Sequence, residues 1–219
     1  IMANSETTTK TKPDKKIRDA NATRLRILKA AKREFSQKGL SGARVDTIAS
    51  KAQANKRMIY HYFGSKEALF LKVLEDAYFD IRSAEKKLDL ENLDPLAAIE
   101  KLVLFTWDYY LKNPEFIRLV NSENLHGARH LKKSSVIEDI SQQFVSMVGG
   151  ILARGVASGQ FRAGIDPVQL NITIAAIGYY YLTNRFTGSI VYQRNLSTPS
   201  AYKERLAFNV ETILCLVKP

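Results

Sequence analysis

Hydrophobic residues along most of this 219-residue chain return at helical intervals. Leu28, Ala31 and Phe35 recur at i, i+3 and i+7, which predicts a helix over about 19–38 with Gly39 just past its end. Val45, Ile48, Ala49 and Ala52 repeat at i, i+3, i+4 and i+7 and predict a short second helix. After a turn of three or four residues, Ile59 and Phe63 share one side of a third helix, which Gly64 closes. Ser65 is placed to cap a fourth, whose buried face is Leu69, Val73, Leu74, Ala77 and Ile81.

The remainder continues in the same period. Asp94-Pro95, Asn113-Pro114, Asp166-Pro167 and Thr198-Pro199 each pair a capping residue with a proline at the first helical position. The last two helices are expected near 166–187 and 200–217, with "SIVYQ" (189–193) as loop between them. No strand alternation or internal repeat competes. The expected fold is all-α.

Six prolines and 45% hydrophobic residues suit a soluble globular chain. The richest apolar stretch, "ITIAAIGYYYL", is shorter than the roughly 18 residues a membrane span needs. With a polar N-terminus and a single cysteine, Cys215, the expected location is the cytoplasm, without an internal disulfide or a membrane partner. Charge divides the chain. Residues 1–66 carry sixteen Lys or Arg against five Asp or Glu, whereas residues 67–219 carry seventeen of each. The whole excess of +11 lies in the first third, as expected of a polyanion-binding module joined to a neutral body. The division predicted is a disordered basic tail (1–16), a DNA-binding domain (17–66) and a ligand-binding and dimerisation domain (67–219).

Within the basic part, the second and third helices form a helix-turn-helix over about 44–62, buttressed by the first. On the third helix Arg57, Met58 and His61 point away from Ile59 and Phe63, with Lys56, Tyr60 and Tyr62 on the flanks. Such a helix fits the major groove. Arg57 could bond base edges or phosphate, and Met58 could pack on a thymine methyl. Lys56, Tyr60, His61, Tyr62 and Lys66 could donate to phosphate oxygens. Arg44 and Val45 put the start of the second helix where a backbone phosphate would lie. Two short helices with a basic surface also occur in proteins that never meet nucleic acid.

The stretch "ARVDTIASKAQANKRMIYHYFGSKEALF" resembles the DNA-binding signature of the tetracycline-repressor (TetR/AcrR) family. The matching residues are Ile48-Ala49, Ala52, Lys56, Tyr60 to Phe63 and Ser65 to Leu69, and "ILKAAKREFSQKG" is similar to the family's first helix. The resemblance implies a cytoplasmic bacterial homodimer that represses transcription from double-stranded operator DNA and lets go when a small-molecule effector binds. It also implies that Arg44, Val45, Lys56, Arg57, Met58, Tyr60, His61, Tyr62 and Lys66 approach DNA. Three positions depart from the family pattern: Gln53 stands where glycine is usual, Arg57-Met58 where Gly and Thr are usual, and Ala43-Arg44 where a hydroxyl often caps. The C-terminal half resembles the branch of repressors governing pyrimidine and nicotinate catabolism.

Residues 83–219 are rich in aromatic side chains, most of which serve ordinary core packing. Tyr179, Tyr180 and Tyr181 must point in three directions and so serve at least two surfaces. A pocket is expected with walls from Phe105, Tyr109, Phe144, Met147 and Tyr179 and polar anchors from Asn121, Glu123, Asn124 or His126. Glu123, His126 and His130 have helical spacings that could ligate a metal, but a solvated or pocket-lining face is the favoured reading. No metal or cofactor is assigned. With no triad, phosphate loop or close carboxylate pair, no enzyme is expected. A non-specific architectural DNA-binding protein is the alternative, but it leaves the neutral aromatic domain unexplained.

Overall fold

The computed structural model describes residues 15–219, with side-chain surroundings from residue 19 onward. Among the described residues there are nine α-helices and no strand: α1 (Lys15–Gly42), α2 (Val45–Lys51), α3 (Lys56–Phe63), α4 (Lys66–Lys86), α5 (Pro95–Lys112), α6 (Pro114–Leu125), α7 (Ser135–Ala157), α8 (Pro167–Val191) and α9 (Pro199–Val217). Short 3-10 turns lie at Leu90–Asn92 and Leu131–Lys133. None of these helices is long and apolar enough to cross a membrane. The expected disordered tail falls mostly outside the described residues, but Lys15 and Lys16 already belong to α1.

Gly39 does end the regular part of α1, at φ 66 and ψ 177, where glycine is at ease. One further turn then runs to Gly42, beyond the expected end. The Asp94, Asp166 and Thr198 side chains each accept a hydrogen bond from the first turn of the helix they precede. Asn113 does not. Its amide donates to the Tyr109 carbonyl at 2.9 Å, so it closes α5 rather than capping α6. The expected loop at 189–193 is also corrected: α8 continues to Val191, and the chain turns at Tyr192-Gln193. Ile190 and Val191 are both exposed there, so no buried strand face competes with helix propagation.

Two apolar clusters fill the interior. The first joins Ile27, Ala31 and Phe35 of α1 to Ile48, Ile59, Leu69 and Phe70 of α2–α4, and continues to Trp107, Phe116 and Leu119 of α5 and α6. The interior therefore does not stop at residue 66. The second lies among α5, α7, α8 and α9, around Leu102, Phe144, Val148, Ile174 and Ile213. At its edge the Phe161 ring lies against Gly155, where an added Cβ would come within 1.9 Å of it.

Candidate functional site

The α2–α3 unit is built from local devices. Gln53, in the turn between the helices, has φ 51, a left-handed conformation costing a non-glycine residue about 1 kcal/mol. Arg26 of α1 offsets this by donating from Nε to the Ala52 carbonyl at 3.1 Å. Asn55 caps α3, its Oδ1 accepting from the Met58 amide at 2.9 Å. Ile59 is fully buried and Phe63 half-buried, with the Arg24 guanidinium 5.7 Å above the Phe63 ring. Gly64 closes α3 at φ 80, and the Ser65 hydroxyl accepts from the Ala68 amide at 3.0 Å.

Arg44, Lys56, Arg57, Tyr60 and His61 are exposed along one side of this unit. Four other residues expected there are placed differently. Val45 is buried, because the first turn of α2 packs into the core. Met58 and Tyr62 are half-buried against the same cluster, since α3 is gripped by both α2 and α4 and its buried arc is wider than two anchors imply. Lys66 is half-buried, with Nζ 3.4 Å from the Ser41 carbonyl.

Two ion pairs were not legible in the sequence. Lys56 Nζ lies 3.1 Å from an Asp46 carboxylate oxygen, with both side chains largely in solvent. Lys51 pairs at 2.9 Å with the buried Glu34 of α1, and this hydrogen bond holds the Glu34 carboxyl below its ordinary range despite burial. Asp46 thus reduces the positive charge that Lys56 presents.

The residues expected to line one pocket are divided among several places. Phe105 and Tyr109 stack obliquely, 5.7 Å apart, beside a depression that Leu206 also lines. Phe144 and Met147 line a separate cavity of about 530 Å³ between α4 and α7. Tyr179 packs on the first core, while Tyr180 is exposed and the Tyr181 hydroxyl donates to the Leu196 carbonyl at 3.0 Å. The three tyrosines do serve different surfaces. Asn121, Glu123, Asn124 and His126 lie in the last turn of α6 and just past it, lining neither hollow.

Glu123 is consumed locally. Its carboxylate is buried and accepts from the His130 and Leu131 amides at 2.8 and 3.0 Å, and it meets His130 Nδ1 at 2.7 Å. Burial pushes the Glu123 carboxyl up, but these hydrogen bonds outweigh it and leave it below the usual range. The helical spacing of Glu123, His126 and His130 does not materialise, because α6 ends at Leu125 and Gly127 and Ala128 take φ 62 and 57. Among the described residues no three metal-ligating side chains gather.

Sequence reasoning missed Arg82 and Glu85 of α4. Glu85 is buried, 2.8 Å from Arg82 Nη1, and Arg82 in turn lies 4.1 Å over the Phe144 ring. Burial pushes the Glu85 carboxyl up to about 7, with Arg82 opposing. The signal was available: Glu85 follows Ile81 by four, on the face already read as buried. The last two helices divide their apolar residues between the interior and the surface. Ile213 is fully buried in the chain's own core, and Gly178 faces Trp107 and Tyr110. Val168, Ile172, Tyr180, Phe186, Ile190 and Val191 of α8 and Phe208 of α9 are the exposed large apolar residues of these helices.

Residues 27–73 match the family described as bacterial regulatory proteins, tetR family, and residues 95–213 match the tetracyclin repressor-like C-terminal domain. The chain is 40% identical over 193 residues to the HTH-type transcriptional repressor NicS of Pseudomonas putida, covering 88% of this chain and 91% of that one. Among solved structures, SCO4942 of Streptomyces coelicolor superposes with a TM-score of 0.68 at 25% identity, over 90% of this chain and 99% of that one. FadR of Bacillus subtilis, solved in complex with stearoyl-CoA, shares the fold at a TM-score of 0.63 and 15% identity, over 89% and 99%.

Proposed function

The chain belongs to the tetR family of bacterial regulatory proteins and is a DNA-binding transcriptional regulator, and we propose that it works as a homodimeric repressor released from its operator by a small molecule. The observation that carries this reading is the α3 surface, where Arg57, Tyr60 and His61 stand exposed around a helix fixed by fully buried Ile59. In this reading Arg57 reads a base edge in the major groove, while Arg44, Lys56, Tyr60 and His61 hold phosphates. Met58, Tyr62 and Lys66 contribute at the margin, and Val45 contributes backbone only. DNA contacts reside in 17–66 and effector sensing and dimerisation in 67–219, with α4 in the first cluster, which spans both.

The exposed apolar residues of α8 and α9 support a two-fold contact between copies, which would fix the spacing of two α3 helices. A repressor of this kind acts in the cytoplasm. Release requires an effector that binds the DNA-free arrangement more tightly than the DNA-bound one. A non-specific architectural role is not favoured, since the relative and the matched families are regulators. Footprinting on the DNA flanking the gene is the test. A protected palindrome with two half-sites about one or more helical turns apart is expected. Uniform protection of any sequence would reject the reading.

A further inference from the structure

The cavity between α4 and α7 has a composition that selects its occupant. Its walls include Phe79, Phe144 and Met147, and its half-buried charge is the Arg82 guanidinium. Lys86 and Glu91 also border it but are exposed, so their opposed charges are solvated and largely cancel. At about 530 Å³ it has the size of a small-molecule site rather than a packing defect.

Arg82 is held in an unusual state. It lies 4.1 Å over the Phe144 ring, which restrains its plane. Its Nε is shielded from solvent and meets no acceptor among the described residues, so it adds to the unanswered charge without itself opening to the cavity. Among the described residues the carboxylate within ion-pair distance is Glu85, at 2.8 Å, yet its Oε2 satisfies no hydrogen-bond geometry. Glu85 is moreover pushed up to about 7 by burial, so near neutral pH it supplies only part of a negative charge. The guanidinium therefore carries more charge and more donors than the protein answers, beside an apolar hollow.

We propose that this cavity is the effector site and that it takes a small organic acid, with its carboxylate on Arg82 and a flat apolar body against Phe79, Phe144 and Met147. This rests on the ligand-responsive reading above and deepens it. An arginine already stacked on a ring loses little freedom on pairing with a planar carboxylate, which gives the acid its advantage over a neutral analogue. Phe105, Tyr109 and the α6 polar residues take no part in it.

Benzoate and benzamide separate charge from shape, since they differ little in outline. Titration calorimetry on the full-length protein should show benzoate binding at least about tenfold tighter than benzamide. Arg82→Met and Arg82→Lys should each remove most of that preference while leaving benzamide binding as it was, and Lys203→Gln, a distant exposed cation, should change neither. Equal binding of acid and amide, binding of neither, or undiminished preference in both Arg82 variants overturns the site. Footprinting with the same unliganded wild-type preparation separates the two readings. A specific footprint with failed benzoate titrations leaves the repressor standing without this site, and a missing footprint removes the repressor reading itself.

Discussion

The Leu40 amide donates to the Ser122 hydroxyl, 3.3 Å away and 82 positions later in the chain, joining the bend at the end of α1 to α6. Gly39 is part of the same contact, because a Cβ there would stand 3.3 Å from the same hydroxyl oxygen. Leu40 and Ser122 are both buried. The helix that braces the α2–α3 unit is thus fastened to the C-terminal helices through this hydrogen bond, the Lys32–Glu115 ion pair at 3.6 Å and the Phe35, Phe116 and Leu119 packing.

Ser122→Ala should cost about 1–3 kcal/mol, since it leaves the Leu40 amide buried without an acceptor. Denaturant unfolding reads this directly. If the fastening also transmits the effector's signal, the variant should keep operator affinity within a few-fold and respond less to effector. Unchanged stability would show that another acceptor reaches Leu40.

Arg57→Ala should weaken the cognate site by about 1–3 kcal/mol and random DNA far less, as a base-reading contact requires. Asp46→Asn should act in the opposite direction. Freed of its partner at 3.1 Å, Lys56 should strengthen binding to all sequences and steepen the fall of affinity with salt. Fluorescence anisotropy across a salt series distinguishes the two. Equal losses on cognate and random DNA for Arg57→Ala would rule out a base-reading role.

The helix-turn-helix was legible because its devices are local: the Ile48–Ala49–Ala52 period, the Ser65 cap and Gly64 closing α3. Met58 and Tyr62 were placed too far out because a wheel drawn for one helix does not know how many neighbours grip it. The pocket was less legible for a related reason. Phe105 and Phe144 are equivalent by composition, and only the packing of α7 on α4 sets Phe144 beside Arg82. Glu123 looked available as an anchor because its spacing to His126 and His130 assumed a helix that ends at Leu125. Asp46–Lys56 and Glu34–Lys51 pair residues on different helices or turns, and no single-helix period reports them.

Phe208→Glu and Ile172→Glu should each separate a homodimer into monomers, seen by sedimentation, and abolish operator binding with little loss of fold. Both side chains are more than half exposed in the single chain, so the charge is penalised only where a second copy covers it. Ile213→Asp serves as the contrast. It would place a carboxylate inside the second core and unfold the chain itself. A wild-type monomer at micromolar concentration would contradict the two-fold arrangement.

Glu85 gives the protein a pH dependence of definite sign. Its carboxyl stands at about 7 against an ordinary 4.5, because burial outweighs the attraction of Arg82, with Tyr109 and Tyr110 close by. Between those values the folded chain keeps a proton that the unfolded chain has released. The group's contribution is therefore fully present below about 4.5 and is lost as pH rises through about 7. The span amounts to roughly 3 kcal/mol. Glu85→Gln retains the acceptor facing Arg82 but cannot ionise, so wild type and variant should be equally stable at about pH 4 and below. At pH 8 the variant should be ahead by roughly 3 kcal/mol, with the curves parting above about pH 4.5 and running parallel again above about 7. Unfolding titrations at several pH values measure this. A wild type more stable than the variant at pH 8 would mean that Glu85 is ionised and firmly paired with Arg82, leaving the guanidinium no spare charge for an acid in the cavity.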